Sequence, residues 1–132
     1  MSSLDIQQKI DQYPYVDARV KKLNCDYFGD EVELIYENSD DYDICCKFLN
    51  CFRVSFNHIL GYDKLFAVKD MTYGQMPYFM FDISVNTVVY EAEEFYSVKL
   101  DLGLLEVEVL CKDVMVNKIP YLNTIGKLCA DI

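Results

Sequence analysis

A two-residue alternation of apolar and polar positions runs through much of the chain. It is clearest over residues 31–37, 79–85 and 105–111. Successive side chains of a strand point to opposite faces, so this period places the apolar residues on one face. The pattern therefore predicts antiparallel strands that bury one face and expose the other.

A helical period occurs only at the start of the chain, over residues 2–13. Ile6 and Ile10 lie one turn apart and would share one helix face. Ser2, with Asp5 three residues later, fits a capping box loosely. The spacing predicts one short N-terminal helix, which must pack on the rest of the chain to persist.

The middle of the chain differs from this simple alternation. Residues 26–30 favour a turn between two strands, and residues 44–56 carry apolar groups on both faces, as in a central strand. Residues 58–77 contain scattered glycines and a proline and predict at most one irregular helix. We expect one β-rich domain over residues 1–132. Its fold class is mainly β, an antiparallel sheet or two-layer sandwich of six to eight strands with a short N-terminal helix.

The two halves of the chain show an internal similarity. A shift of 65 residues lays residues 17–20 on 82–85 and residues 46–47 on 111–112. A true repeat would give two three-stranded units packed together. The alternative is that any two β-meanders of similar length align this well.

The net charge of the chain limits the classes of partner that are expected. Twelve Lys and Arg oppose 22 Asp and Glu, for a formal net charge of −10. Nucleic acids and anionic membranes attract basic surfaces, so neither is expected as a partner. The start of the chain shows no basic and apolar signal segment, and no uncharged run is long enough to span a membrane. We therefore expect a cytoplasmic protein with reduced cysteines.

Catalytic and cofactor signatures are weak. The only histidine is His58, and pairing it with Cys51 or Ser55 as a nucleophile has no supporting motif around either residue. The six cysteines form no C-x-x-C pair, which favours buried thiols over a zinc site. An EF-hand counted from Asp41 places Cys46 where glycine is required. We expect no enzyme, no metal and no cofactor.

The distribution of acidic residues is uneven. Eight of them and no basic residue lie between Leu23 and Cys46, with Tyr27, Phe28 and Tyr42 interleaved. Carboxylates beside exposed aromatic rings suit a docking surface for a basic protein, although a solvated hairpin face has the same composition. The candidate partner-binding residues are Asp26, Tyr27, Asp30, Glu31, Glu33, Glu37, Asp40, Asp41, Tyr42 and Asp43.

Three segments carry a resemblance to a known kind of protein. They are residues 16–20, 78–85 and 107–114, which read VDARV, YFMFDISV and VEVLCKDV. In these segments the chain resembles small, uncharacterised bacterial β-rich proteins of the immunity-protein type. The resemblance implies a non-enzymatic protein that binds and blocks a toxin domain. It identifies no functional residue, because the shared segments are structural.

Three functional hypotheses follow. The first is a protein-binding module of the immunity type that blocks a basic toxin domain through the acidic segment. The second is a small-molecule-binding β domain, which predicts a deep pocket lined by Tyr and Phe. The third is a structural, oligomer-forming domain in which the edge from Phe79 to Val85 pairs with a second copy.

Overall fold

A computed structural model describes residues 2–39, 41–59 and 67–121. They form one helix and six strands: α1 (Ser3–Asp11), β1 (Val20–Asp26), β2 (Glu31–Glu37), β3 (Tyr42–His58), β4 (Asp82–Tyr90), β5 (Glu93–Asp101) and β6 (Leu105–Pro120). All strands lie in a single sheet in the order β1-β2-β3-β6-β5-β4, and every neighbouring pair is antiparallel. The predicted fold class, mainly β with a short N-terminal helix, is confirmed, and it takes the form of one sheet.

The helix α1 begins as its sequence predicts. The Ser2 hydroxyl accepts a hydrogen bond from the Asp5 backbone N–H (3.1 Å), and the Asp5 carboxylate accepts one from the Ser2 N–H (3.2 Å). Ile6 and Ile10 are buried against the sheet. No helix in the described part of the chain is long and apolar enough to cross a membrane.

The sheet consists of two three-stranded meanders joined through their last strands. The first meander is β1-β2-β3 and the second is β4-β5-β6, and β3 pairs with β6 in the centre. Exchanging the two meanders reproduces the same strand order. This is the arrangement that a 65-residue repeat would give, strand for strand, while the repeat itself stays a prediction.

The two central strands are longer than their outer neighbours. β3 pairs with β6 along nearly its whole length, but it pairs with β2 only as far as Leu49. A bulge between Cys51 and Arg53 shifts the register of the central pair. Among the described residues, the second half of β3, beyond this bulge, therefore has a strand neighbour on one side only.

One face of the sheet carries the main hydrophobic core. Every second residue of the strands in both meanders points to this face. These side chains pack against the buried side chains of α1 and of the segment before β4. The largest of these buried side chains are Tyr36, Phe48, Leu34, Ile44, Met80 and Leu102. This is the burial that the alternating sequence pattern predicts.

The start of each outer edge of the sheet is bonded by another part of the chain. The Val20 N–H donates to the Tyr78 carbonyl (2.9 Å), so the segment before β4 lies beside the start of β1. On β4, the Gln7 side chain donates to the Ile83 carbonyl (3.0 Å) and accepts from the Val85 N–H (2.8 Å). The edge that the oligomer hypothesis assigned to a second copy is thus used within the chain.

Three local expectations differ from the structure. The alternation of apolar and polar residues that begins at Tyr15 predicts a strand from there, but Asp17 adopts a positive φ of 66° and the strand starts at Val20. The polar, acidic residues 38–43 predict a loop, but β3 already begins at Tyr42. Of the stretch 58–77, residues 60–66 lie outside the described residues, and the later part forms short 3-10 turns at Val68–Asp70 and Tyr73–Gln75.

Candidate partner-binding surface

The acidic segment separates into exposed and buried members. Asp26, Tyr27, Asp30 and Asp41 are exposed, Glu31, Glu33, Glu37 and Tyr42 are half-buried, and Asp43 is buried, while Asp40 lies outside the described residues. The exposed members also stand at the two ends of β2. Seven extended residues span roughly 20 Å, so Asp26 and Asp30 do not form one patch with Asp41.

Asp43 belongs to the interior. Its carboxylate oxygens lie 2.9 Å and 3.1 Å from the Lys21 Nζ, and both side chains are completely buried. The same ammonium lies 3.4 Å from the centre of the Tyr121 ring. A buried ion pair in such contact is a structural element, and Asp43 has no surface to offer a partner.

Glu33 also takes part in an internal charge network. Its carboxylate pairs with Lys22 and, at 3.7 Å, with Lys47, and it accepts a weak hydrogen bond from the Cys45 thiol (3.8 Å). Lys22 is buried and the Glu33 side chain is nearly so. The charge of Glu33 is therefore largely compensated before any partner arrives.

The turn between β1 and β2 is the most unusual part of the segment. Tyr27, Phe28 and Gly29 follow one another with positive φ angles of 55°, 57° and 88°. A left-handed conformation costs a non-glycine residue about 1–2 kcal/mol. Phe28 is nevertheless fully exposed and Tyr27 is 71% exposed. Strained backbone that presents aromatic rings to solvent is typical of a binding loop.

Two exposed carboxylates flank this turn. Asp26 precedes Tyr27 and Asp30 follows Gly29. Within the described ranges, no ion pair engages either carboxylate. We call residues 26–30 the aromatic turn. It combines uncompensated negative charge with apolar rings.

A cavity of about 640 Å³ lies between the aromatic turn and β3. Phe28 and Asp30 line it from the turn, and Cys51, Val54 and Phe56 line it from the strand. Sequence reasoning missed the contribution of β3, because apolar residues on both faces indicated a central strand. The missed signal is that this apolar run is longer than β2, so its last part extends beyond β2 and has no other described strand on that side.

A second acidic surface lies on the other meander. Asp82 is opposite Asp101, and Asp101 is opposite Glu106, so three carboxylates form a row across β4, β5 and β6. All three are exposed. The three carboxylates line a shallow cavity together with Lys99, which lies beside the row and opposite Glu108. The sequence did not single out these residues, since they are distant from one another in the chain.

The cysteines fit the expectation of buried thiols in most positions. Burial raises the pKa of Cys46 and of Cys111 to about 12, because a thiolate loses its solvation there. Burial likewise raises the pKa of Cys45 to about 11, with the nearby Glu33 charge as the next cause. Cys25 is exposed, and Cys129 lies outside the described residues. Among the residues that the structure describes, no His, Cys, Asp and Glu side chains cluster as a metal site would require.

Comparison with known proteins gives a family match that covers most of the chain. A family model described as Immunity protein PIM7 matches residues 2–118. No curated protein matches the chain. The matched span contains α1, the first five strands and nearly all of β6. The resemblance carried by the three strand segments is thereby confirmed at the level of the family.

Proposed function

Because the chain belongs to the Immunity protein PIM7 family, we propose that it is a non-enzymatic inhibitor that binds and blocks a basic toxin domain. Family membership supports the role in toxin immunity in general. The basic character of the toxin and the surface that meets it are our proposal. The observation that carries it is the aromatic turn, where uncompensated carboxylates flank exposed Tyr27 and Phe28.

The chemistry of this turn suits a cationic protein partner. The carboxylates of Asp26 and Asp30 would speed encounter with a basic surface, in line with the net charge of −10. The rings would supply apolar contact area once the surfaces meet, as aromatic anchors do at interface centres. Glu31 is adjacent and half-buried, and it extends the same patch.

The proposed surface is narrower than the acidic segment in the sequence. Glu33 and Asp43 are used in internal ion pairs and are left out. Glu37, Asp41 and Tyr42 stand at the far end of β2 and would touch the same partner only if it spans that strand. Residues 26–31 therefore form the centre of the proposed interface.

We place this inhibitor in the bacterial cytoplasm. Cytoplasmic thiols stay reduced, and the five cysteines that the structure describes are free. Cys45, Cys46 and Cys111 are buried away from the proposed interface, whereas exposed Cys25 and half-buried Cys51 line the cavity beside the aromatic turn.

Growth rescue tests the proposal. Bacterial cells would express toxin domains of graded net charge, each with and without this chain. We expect rescue from a basic toxin domain and loss of rescue in the double variant Asp26→Lys, Asp30→Lys. A matched control, Asp82→Lys with Glu106→Lys, changes the net charge equally on the other meander and should still rescue.

The outcomes separate the alternatives. Loss of rescue in the control alone would move the interface to the second acidic surface and overturn the proposed one. Rescue by both double variants would show that neither acidic surface matters. Circular dichroism of each variant confirms that a loss of rescue is not a loss of fold.

A further inference from the structure

The second half of β3 has an open strand edge. The β2 partner ends with Glu31 opposite Leu49, while β3 continues to His58 with β6 on its other side. The Cys51 N–H donates to the Asp30 carbonyl (2.9 Å), which is the last backbone bond from the first hairpin to β3. From Phe52 onward no described strand lies on this side.

The backbone groups that point into this opening can be identified from the ladder. The Ile59 N–H donates to the Leu104 carbonyl (3.1 Å), so the groups of Ile59 face the β6 side. Alternation along an antiparallel ladder then turns the groups of Val54, Phe56 and His58 outward. Within the described residues, no backbone hydrogen bond reaches these outward groups.

Other segments of the chain contact parts of the remaining edges of the sheet. The Gln7 amide bonds the β4 edge at Ile83 and Val85, and the segment at Tyr78 bonds the start of the β1 edge. The matching overhang of β6 lies near the N-terminal segment, where the Lys118 ammonium is 5.6 Å from the centre of the Tyr13 ring. Unpaired strand edges readily pair with another chain, and proteins usually cover them.

A groove lined in part by aromatic and aliphatic side chains follows the open edge. Its first part is the cavity between Phe28 of the aromatic turn and Val54 of β3. Phe56 belongs both to this cavity and to a second one of about 270 Å³, which Leu23 and Tyr78 also line. Phe56 is 38% exposed although it lies on the face that carries the core. The groove therefore offers apolar side-chain pockets next to unpaired backbone groups.

From these observations we infer that the toxin partner binds by adding an extended segment to the edge of β3 between Phe52 and His58. This inference rests on the proposed function and specifies how the same surface is used. Main-chain hydrogen bonds would align the added segment, and alternate side chains would enter the groove. The Asp30 carbonyl binds Cys51, so the exposed Asp30 carboxylate stands where the open edge begins. The added segment therefore carries apolar residues at alternate positions and a lysine or arginine beside Asp30.

Amide hydrogen exchange tests the mode of binding directly. The probe is the toxin domain recovered in the growth-rescue assay, mixed in excess with the isotope-labelled full chain. In the free chain, the amides of Val54, Phe56 and His58 should exchange about tenfold or more faster than those of Ser55 and Asn57. In the complex, the three outward amides should slow by about tenfold or more, while the inward amides change little.

A proline scan gives an independent readout of the same edge. Val54→Pro removes an outward N–H without removing a ladder hydrogen bond, so the domain should stay folded. Toxin affinity should fall about tenfold, the equivalent of one main-chain hydrogen bond of about 1.4 kcal/mol. Val54→Ala is the matched control for the lost side chain and should bind more tightly than the proline variant.

The possible results decide between mechanisms. Rescue and binding with no new protection at the outward amides would overturn strand addition and leave the proposed function intact. No rescue by any toxin domain would instead remove the proposed function. Protection of the same amides in the free chain at high concentration, together with a dimer in light scattering, would assign the edge to a second copy and overturn the inference.

Discussion

The two meanders share one strand order but use their charged residues differently. In the first, Lys21 pairs with Asp43 inside the protein, and Glu33 is held between Lys22 and Lys47. In the second, Asp82, Asp101 and Glu106 stand in an exposed row. The meander whose acidic residues are clustered in the sequence thus carries the more strongly compensated face.

This difference shows that the linear density of acidic residues is a poor measure of available negative charge. Basic residues that precede the acidic segment fold back onto it, because antiparallel pairing brings β1 beside β2. The aromatic turn, at the end of the first hairpin, keeps the carboxylates of Asp26 and Asp30 exposed and without an ion pair in the described part of the chain. Four experiments test the comparison between the meanders.

The largest effect is expected from Asp43→Asn in the first meander. The change leaves the buried Lys21 ammonium without its carboxylate, which costs about 3–5 kcal/mol of unfolding free energy. Denaturant titration measures the loss. The paired replacement Lys21→Met with Asp43→Leu should recover most of it, and a double variant as unstable as the single one would contradict this account.

Reversing one charge should change the unfolding free energy in opposite directions in the two meanders. Glu33→Lys places an ammonium beside buried Lys22 and should lower the unfolding free energy by about 2 kcal/mol. Glu106→Lys relieves the like charge of Asp101 across the strand and should raise the unfolding free energy by about 0.5 kcal/mol. Both values come from thermal or denaturant unfolding. If both variants change the unfolding free energy in the same direction, the charge environments of Glu33 and Glu106 do not differ as proposed.

The hairpin turns of the two meanders allow a further comparison. Phe28 in the first and Ala92 in the second both have positive φ, at 57° and 66°. Replacing either with glycine relieves the left-handed strain and should stabilise the fold by about 1 kcal/mol. Only Phe28→Gly should also weaken toxin binding. If Ala92→Gly weakens binding to the same degree, the aromatic turn is not the anchor.

Thiol labelling compares the meanders without changing stability. At pH 8 a thiol reagent should modify exposed Cys25 readily and leave Cys46 and Cys111 unmodified, because burial raises the pKa of both toward 12. These thiols are neutral in the folded state and ionise near their ordinary pKa when unfolded. The contribution of these neutral thiols to the unfolding free energy is therefore fully present below pH 9 and is lost as the pH rises toward 12. Peptide mass mapping after labelling locates the modified cysteines.

The sequence predicted the regular parts of the fold because they follow local rules. The helix start at Ser2 and the strand from Glu31 to Glu37 depend on capping and on the two-residue period, both of which are readable along the chain. The aromatic turn was also predicted, since Asp, Tyr, Phe and Gly there interrupt two alternating runs.

The rest depended on which strands become neighbours. Lys21 and Asp43 look solvent-exposed in the sequence, and only the pairing of β1, β2 and β3 makes them a buried pair. Ile35 breaks the polar alternation of β2, yet it is buried in the sheet. The open edge of β3 and the acidic row at Asp101 likewise follow from strand order and strand length, which no local pattern encodes.

The long pairing of β3 with β6 has a consequence for how the protein is made. A ribosome releases β3 well before β6, so the second half of β3 in the nascent chain waits for its β6 partner until β6 has been translated. Non-local pairing of this kind closes late and slowly. In that interval the strand is a natural substrate for chaperones and a point of aggregation. The proposed inhibition of the toxin would therefore begin only when β6 has been translated, and the rate of translation through β6 would set the delay.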